Sequence, residues 1–117
     1  MPAPIVFFDI AGPTESNLQA FYQTAFDWNI SPSGEFSIGA GASALDGQIR
    51  TDPADKVIYL GVPDINTSLD IIQSAGGSVI APRFEVPGVV VLALFTDPAG
   101  NTMGLVEMDG DQPVIPG

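Results

Sequence analysis

The alternation of apolar and polar residues divides the first half of the chain into a strand, a helix and a weakly patterned segment. The run IVFFDI, residues 5–10, is short, apolar and aromatic, which predicts a central strand. Apolar residues then recur at the spacing of one helix face, at Leu18, Phe21, Tyr22, Ala25 and Phe26. We therefore expect a helix over residues 14–27, with Thr14 as its N-cap. Residues 31–48 are rich in glycine and serine and predict only weak strands between loops.

The second half repeats this order with clearer signals. Residues 56–62, KVIYLGV, predict a strand, and residues 63–77 predict a helix that Asp64 caps and Gly76 ends. The buried stripe of this helix is expected at Ile65, Leu69, Ile72 and Ala75. Further strands are predicted over residues 78–82, 88–97 and 101–107. Asp97-Pro98-Ala99-Gly100 has the composition of a type I turn, so the last two strands should form a hairpin.

The two halves resemble each other at an offset of roughly fifty residues, as expected for a duplicated supersecondary unit. We predict two βαβββ modules, about residues 1–52 and 53–108, followed by a tail over residues 109–117 that packs on a neighbouring surface or frays. Neither module could bury both faces of its strands alone. The predicted fold class is therefore α+β, with one curved, mostly antiparallel sheet, helices on its outer face and a concave face for a ligand.

Composition restricts the possible functions. A chain of 117 residues, 45% apolar, without cysteine and without a membrane-length apolar run, predicts one domain over residues 1–117, and the lack of a signal sequence predicts a cytoplasmic location. The net charge is −11, and only Arg50, Lys56 and Arg83 are positive, which argues against nucleic-acid and membrane-surface binding. A neutral or cationic ligand fits better, although the acidity could serve solubility alone. The absence of histidine and cysteine removes the commonest general base and two common metal ligands.

Five segments, in this order and spacing, resemble the vicinal oxygen chelate superfamily, which includes glyoxalase I, extradiol dioxygenases, fosfomycin-resistance proteins and bleomycin-binding proteins. They are FFDI, AFYQTAFDW, VIYLGVPDI, SAGGSVIAP and FTDPAGNTMGLVE, and the resemblance covers nearly the whole chain. It implies a single glyoxalase-like domain.

The resemblance also indicates where a metal would bind. Metal-dependent members hold a ligand near the start of the first strand of each half and a glutamate in the last strand. These places match Ile5 (or Phe7 after a shift of two residues), Val57 and Gly104, none of which has a side chain able to bind a cation. Glu35 or Asp46 lies near the remaining place, and one carboxylate does not make a metal site. The expected protein is metal-free and needs no cofactor.

The alternation of side chains along strands selects the residues expected to face the ligand. If Ile5, Val57 and Gly104 face inward, Phe7, Asp9, Tyr59 and Thr102 do so too, whereas Glu107 faces the other way, as a surface residue at the strand end or a helix-side residue. Asp9 needs a partner such as Arg50 or Arg83, so it is either a structural ion pair or a ligand anchor. Trp28 and Phe36 form either an aromatic wall for a flat ligand or a cover for the core or a dimer contact. The predicted ligand-binding residues are thus Phe7, Asp9, Trp28, Phe36, Tyr59 and Thr102.

Two classes of function follow from these observations. The first is a metal-free, bleomycin-resistance-like protein that binds a small aromatic or cationic molecule. The alternative is a lyase, isomerase or dioxygenase acting on a small carbonyl or aromatic compound; no catalytic residue can be assigned, and Asp9 with Tyr59 is the only plausible acid–base pair. A purely structural dimer is a third option. We expect a homodimer because so small a domain gains buried surface by pairing.

Overall fold

The computed structural model describes residues 2–39 and 44–117, which form two compact units, one of residues 7–58 and one that combines the N-terminal residues up to 6 with residues 59–117. The described residues form two α-helices and eight strands, and most of the strand pairs are antiparallel, which is an α+β fold and confirms the predicted class. In chain order the elements are β1 (Ile5–Gly12), a 3-10 turn (Thr14–Ser16), α1 (Leu18–Phe26), β2 (Glu35–Ile38), β3 (Leu45–Thr51), β4 (Asp55–Val62), α2 (Ile65–Ser74), β5 (Ser78–Val86), β6 (Val90–Thr96), β7 (Thr102–Asp109) and β8 (Gln112–Pro113).

In the unit of residues 7–58, β3 lies between β1, to which it is parallel, and β2, to which it is antiparallel. Its core consists of buried Ile30, Phe36 and Ile49, against which Leu18 and Tyr22 of α1 pack. Phe8 and Ile10 of β1 pack there too, as the alternation predicted. Over the described residues only β2 and β3 follow α1 before β4, where the pattern predicted three strands; residues 40–43 lie outside the described part.

The start and the buried face of α1 differ from the prediction. Thr14 is not the N-cap, because a 3-10 turn closed by the Ser16 N–H bond to the Pro13 carbonyl comes first. Asn17 follows in the left-handed region with φ of 54°, and α1 begins after it. The predicted stripe is only half correct, since Leu18 and Tyr22 are half-buried whereas Phe21, Ala25 and Phe26 are exposed.

In the unit that contains residues 59–117, β7 lies between β4, to which it is parallel, and β6, to which it is antiparallel. β5 pairs with the other edge of β6, and β8 pairs with the end of β7. Helix α2 covers one face of these strands, so Ile65 and Leu69 of the helix pack with apolar residues of the strands: Val62, Val91, Ala93, Phe95 and Leu105.

The predicted cap and stop of α2 are confirmed, although the helix itself, Ile65–Ser74, is shorter than the predicted range of 63–77. Asp64 Oδ1 accepts a hydrogen bond from the Thr67 N–H at 3.2 Å, and Gly76 has φ of +101°, where a glycine is favoured. The stripe is shorter than predicted because Ala75 is the exposed C-cap residue rather than part of the buried face.

The turn between β6 and β7 is the predicted hairpin. The Gly100 N–H donates to the Asp97 carbonyl at 2.9 Å, and the Asp97 carboxylate accepts from the Ala99 and Asn101 backbone N–H groups. The tail packs instead of fraying, since Val114 contacts the α2 core. Within the described residues no helix is long and apolar enough to cross a membrane.

Candidate functional site

The face of the strands opposite α2 is apolar and includes the Tyr59 side chain. Tyr59 lies beside Gly104 of β7, and Gly104 lies beside Leu94 of β6. Residues paired across strands share a face, so this row and the rows next to it form one surface. We call it the Tyr59 face and define it by Tyr59, Leu92, Leu94, Thr102, Gly104 and Val106.

Gly104 allows the Tyr59 ring to pack against the backbone of β7. A Cβ atom at position 104 would overlap Cδ2 and Cε2 of that ring. Tyr59, Gly104 and Val106 are buried, whereas Leu92, Leu94 and Thr102 are half-buried. Thr102 lies beside Thr96, so two hydroxyl groups mark the end of the face next to the hairpin. The structure thus places Tyr59 and Thr102, both predicted from the sequence, on one face.

The sequence interpretation missed the contribution of β6 and β5 to this face. Leu92 and Leu94 lie beside Val106 and Gly104, and Phe84 of β5, 40% exposed, lies beside Leu92. The register of β6 could have been read from the Asp97 turn, because a hairpin turn determines which residues of its two strands are opposite. The position of Phe84 could not be read from the sequence, because the pairing of β5 with β6 contains two register shifts.

The face of β1 and β3 opposite α1 is polar and acidic. Phe7 lies beside Asp46, and Asp9 lies beside Gln48, which in turn lies beside Glu35 of β2. We call this surface the Asp9 face and define it by Phe7, Asp9, Glu35, Asp46, Gln48 and Arg50. Asp9 is buried, with 5% of its surface exposed, while Glu35 and Asp46 are exposed.

Arg50 is the cation of the Asp9 face. Its Nε lies 3.2 Å from Asp9 Oδ1, its Nη1 donates to Asp52 Oδ2 at 2.8 Å, and its Nη2 is 3.9 Å from Asp55 Oδ2. Burial disfavours the guanidinium charge, but the hydrogen bond with Asp52 and the charge of Asp9 outweigh it and raise the pKa of Arg50. Of the two partners that the sequence allowed for Asp9, the structure selects Arg50.

Trp28 and Phe36 lie away from the Asp9 face. Their rings stack with centroids 4.7 Å apart, and both contact Phe8, which points to the α1 side of β1. Phe36 is 6% exposed and belongs to the core. The structure therefore does not bring these two residues together with Phe7 and Asp9. It places them where they cover the core, which is one of the alternatives considered from the sequence.

Glu107 points to the α2 side, as strand alternation predicted. Its carboxylate accepts from Arg83 Nε at 3.1 Å and Nη2 at 2.9 Å, and from the Ile65 N–H at the start of α2 at 3.1 Å. The hydrogen bond with Arg83, opposed by burial, lowers the pKa of Glu107. This residue joins α2 to the sheet and lies on the opposite side from the Tyr59 face.

The side chains of residues 2–39 and 44–117 do not fit a divalent metal ion. Among the described residues no three His, Cys, Asp or Glu side chains are grouped so as to hold one. The Tyr59 ring lies against Gly104, the position that the resemblance equates with a metal-binding glutamate. Ile5 and Val57, the other matched positions, have hydrocarbon side chains.

A cleft of about 190 Å³ lies where the 3-10 turn and the start of α1 meet the end of β3. Thr14, Ser16, Asn17, Arg50 and Thr51 are among its lining residues, and none of the six predicted site residues is. It is smaller than the several hundred Å³, roughly 300–1,000, of most ligand pockets. We therefore consider the two sheet faces the better candidates.

Comparison with solved structures decides the fold. A methylmalonyl-CoA epimerase in complex with methylmalonyl-CoA and NH4+ matches with a TM-score of 0.68 and 12% identity, over 97% of this chain and 100% of that one. The chain has the vicinal oxygen chelate fold. The resemblance stated from the sequence is thus confirmed for the fold.

Other structures with the vicinal oxygen chelate fold agree. The epimerase from Mycobacterium tuberculosis matches with a TM-score of 0.64 and 13% identity, over 90% of this chain and 87% of its own. A hypothetical protein from Bacillus halodurans matches with a TM-score of 0.65 and 13% identity, over 93% of this chain and 96% of its own. No family profile and no curated protein sequence matches the chain. At these identities the vicinal oxygen chelate assignment concerns the fold alone.

Proposed function

We propose that this protein binds a small aromatic or cationic molecule on the Tyr59 face of its vicinal oxygen chelate fold, without a metal ion. The observation that carries the proposal is the Tyr59 ring packed against Gly104, because it places an aromatic ring, 9% exposed, where a metal-dependent relative would have a carboxylate. Apolar and aromatic walls with a few polar groups are typical of small-molecule sites. Tyr59 and Thr102 supply those features on one face.

The charge of the chain favours a neutral or cationic ligand over an anionic one. The epimerases of similar fold were solved with CoA esters, whose phosphates make them polyanions. This chain has a net charge of −11 and three basic residues, of which Arg50 and Arg83 are ion-paired with carboxylates. Asp9, Glu35 and Asp46 on the Asp9 face add negative potential. A polyanion would be repelled, whereas a cation would be attracted.

A second candidate is an isomerase acting on an uncharged carbonyl compound. Several structures with the same fold are epimerases, and Asp9 is a carboxylate 5% exposed in a strand, the kind of group that can act as a base. Its test is exchange of the proton next to the carbonyl with deuterated solvent, followed by NMR for a panel of small ketones. Exchange that Asp9→Asn abolishes would favour the isomerase, and exchange equal to the buffer rate would reject it.

Binding is tested by thermal shift and calorimetry with three planar aromatic probes, one cationic (ethidium), one neutral (2-naphthol) and one anionic (2-naphthalenesulfonate). We expect the cationic and neutral probes to raise the unfolding temperature and the anionic probe to do so least. Tyr59→Leu should weaken binding about tenfold or more, because stacking is lost, whereas the matched control Tyr59→Phe keeps the ring and the affinity.

Three outcomes would reject the proposal. One is the absence of a shift with every probe, and another is binding that Tyr59→Leu leaves unchanged. The third is stabilisation by a stoichiometric amount of Zn²⁺, Ni²⁺ or Mn²⁺, which would overturn the metal-free part. A cytoplasmic location and the absence of nucleic-acid binding stay predictions from the sequence, for which the acidic charge is the support.

A further inference from the structure

Strand β6 borders two different environments. Every second residue of this strand is buried in the core under α2: Val91, Ala93 and Phe95. The residues between them are only half-buried: Leu92, Leu94 and Thr96. Because strand side chains alternate between the two faces of a sheet, the Tyr59 face continues along β6 as far as Thr96 and is partly exposed over this length.

The edge strand β5 adds an aromatic ring to this face. Phe84 lies opposite Leu92 and is 40% exposed. Ser78 lies opposite Thr96 at the other end of the pairing. From there, regular pairing would bring Pro82 opposite Leu92, but two register shifts insert one extra residue each into β5. A shift of two residues keeps the same face, so Phe84 takes this place, in the way that bulges beside functional sites re-aim a side chain.

The Tyr59 face changes from polar to apolar along β6. Hydroxyl side chains form the row next to the hairpin: Ser78, Thr96 and Thr102. The following two rows are apolar or aromatic: Tyr59, Gly104 and Leu94, then Val106, Leu92 and Phe84. None of these residues is charged, although the chain has fourteen acidic and three basic residues. The carboxylate that follows β6, that of Asp97, accepts hydrogen bonds within its own turn.

We propose that the ligand of the Tyr59 face is an elongated, neutral and planar aromatic molecule with a hydroxyl or carbonyl group at one end. The inference rests on the proposed function and narrows its ligand class. The polar group bonds to the hydroxyl groups of Thr96 and Thr102, and the aromatic body lies along β6, past the Tyr59 ring, to Phe84. The two ends are four residues apart along β6, about 13 Å at the rise of a strand. A cation on this surface would lose water without gaining a counter-charge, which favours a neutral ligand.

Calorimetry with three aromatic probes tests this ligand class. They are trans-4-hydroxystilbene, the shorter 2-naphthol, and the cation 1-methyl-4-styrylpyridinium, which has the length of stilbene. The titrations are made in high salt, which screens the long-range attraction of a cation to the acidic chain. We expect 4-hydroxystilbene to bind about tenfold more tightly than either of the other two probes.

Three variants locate the probe on the face. Phe84→Leu should lower the affinity for 4-hydroxystilbene about fivefold or more and that for 2-naphthol by less than about twofold, because only the longer probe reaches position 84. The matched control is Phe26→Leu, the same change at a phenylalanine of α1 that is 59% exposed. Thr96→Val/Thr102→Val keeps the shape but removes both hydroxyl groups, and it should weaken 4-hydroxystilbene about fivefold.

The outcomes separate this inference from the proposed function. If 2-naphthol binds in a manner that depends on Tyr59, but 4-hydroxystilbene binds no more tightly or Phe84→Leu leaves its advantage intact, the inference is wrong and the proposed function stands. Binding of none of the probes would reject both. Equal affinity for the styrylpyridinium would overturn the preference for a neutral ligand. If Phe84→Leu does not fold, the wild-type affinities decide, and a ratio near one between the two neutral probes rejects the inference.

Sedimentation of the wild type and Phe84→Leu controls for a different occupant of this surface. We expect the same mass for both proteins, because Phe84 contacts a ligand. A mass that falls only in Phe84→Leu, with unchanged affinity for 4-hydroxystilbene, would mean that a second copy of the chain covers Phe84, and it would overturn the inference.

Discussion

The ring of Tyr59 in β4 packs directly against the α-carbon of Gly104 in the neighbouring strand β7, and only a residue without a side chain leaves room for it. Strand pairing places the two residues opposite each other, so the contact follows from the register. It determines the character of the Tyr59 face, because an aromatic ring covers backbone at a position that the resemblance equates with a metal ligand.

Gly104→Ala should destabilise the protein by forcing the Tyr59 ring away. We expect the free energy of unfolding to fall by about 1–3 kcal/mol, the usual cost of overpacking, as measured by urea denaturation. In a Tyr59→Ala background the same change should cost almost nothing or stabilise slightly, since alanine is favoured over glycine in a strand by roughly 0.5–1 kcal/mol. An equal cost in both backgrounds would show that the ring is not the cause.

Arg50→Met should destabilise the protein more than Asp52→Asn. The first variant removes the cation whose Nε lies 3.2 Å from the buried Asp9 carboxylate. Breaking a buried ion pair from one side typically costs about 3–5 kcal/mol of unfolding free energy. We expect a somewhat smaller cost because the Arg50 side chain is 29% exposed. Asp52 is 54% exposed, so its loss should change stability by no more than about 0.5 kcal/mol. Equal effects in urea denaturation would mean that the Asp9 contact contributes nothing.

Glu107→Ala should weaken the attachment of α2. The variant removes the acceptor of two Arg83 hydrogen bonds and of the Ile65 N–H, which we expect to cost about 1–3 kcal/mol. Glu85→Ala is the control, because Glu85 is 3.5 Å from Arg83 but its side chain is 53% exposed. Hydrogen exchange of the first turn of α2 should accelerate in Glu107→Ala alone; unchanged exchange there would contradict this role.

The free energy of unfolding should depend on pH partly through the ionisation of Glu107. Its hydrogen bond with Arg83 lowers the pKa below the ordinary value of 4.5, so the folded state releases its proton more readily than the unfolded state. This contribution is complete above that ordinary value and is lost as the pH falls through the lowered pKa. Asp97 acts in the same direction, because its hydrogen bonds with Asn101 lower its pKa too.

Urea denaturation between about pH 7 and about pH 3 measures this dependence. Glu107→Gln should be less stable than the wild type at neutral pH and should lose less stability on acidification. The two curves should converge at the acid end. Parallel curves over the whole range would show that Glu107 has the same pKa in the folded and unfolded states.

Local chemistry along the chain was enough to predict much of the fold. Three local features were predicted correctly: the cap of α2 at Asp64, its left-handed end at Gly76 and the hairpin at Asp97. Each depends on residues within one turn of each other, so the local sequence is enough to predict it. Period-two alternation likewise placed Phe8 on the helix side of its unit. In the other unit it placed Glu107 on the helix side and Tyr59 with Gly104 on the opposite face of the strands. The failures lie at α1, where Thr14 resembles a cap but a 3-10 turn comes first.

The sequence by itself determined most of the elements, their strand faces and the family resemblance, because alternation, caps and turns are interactions between near neighbours. Only the tertiary structure decided that Arg50 pairs with Asp9 and Arg83 with Glu107, since the first pairing joins neighbouring strands and the second joins strands on either side of β6. It also decided that Trp28 and Phe36 stack in the core while Phe21 and Phe26 stay exposed. Apolar residues at helical spacing mark a possible buried face, but how much of it is covered depends on the size of the surface it meets.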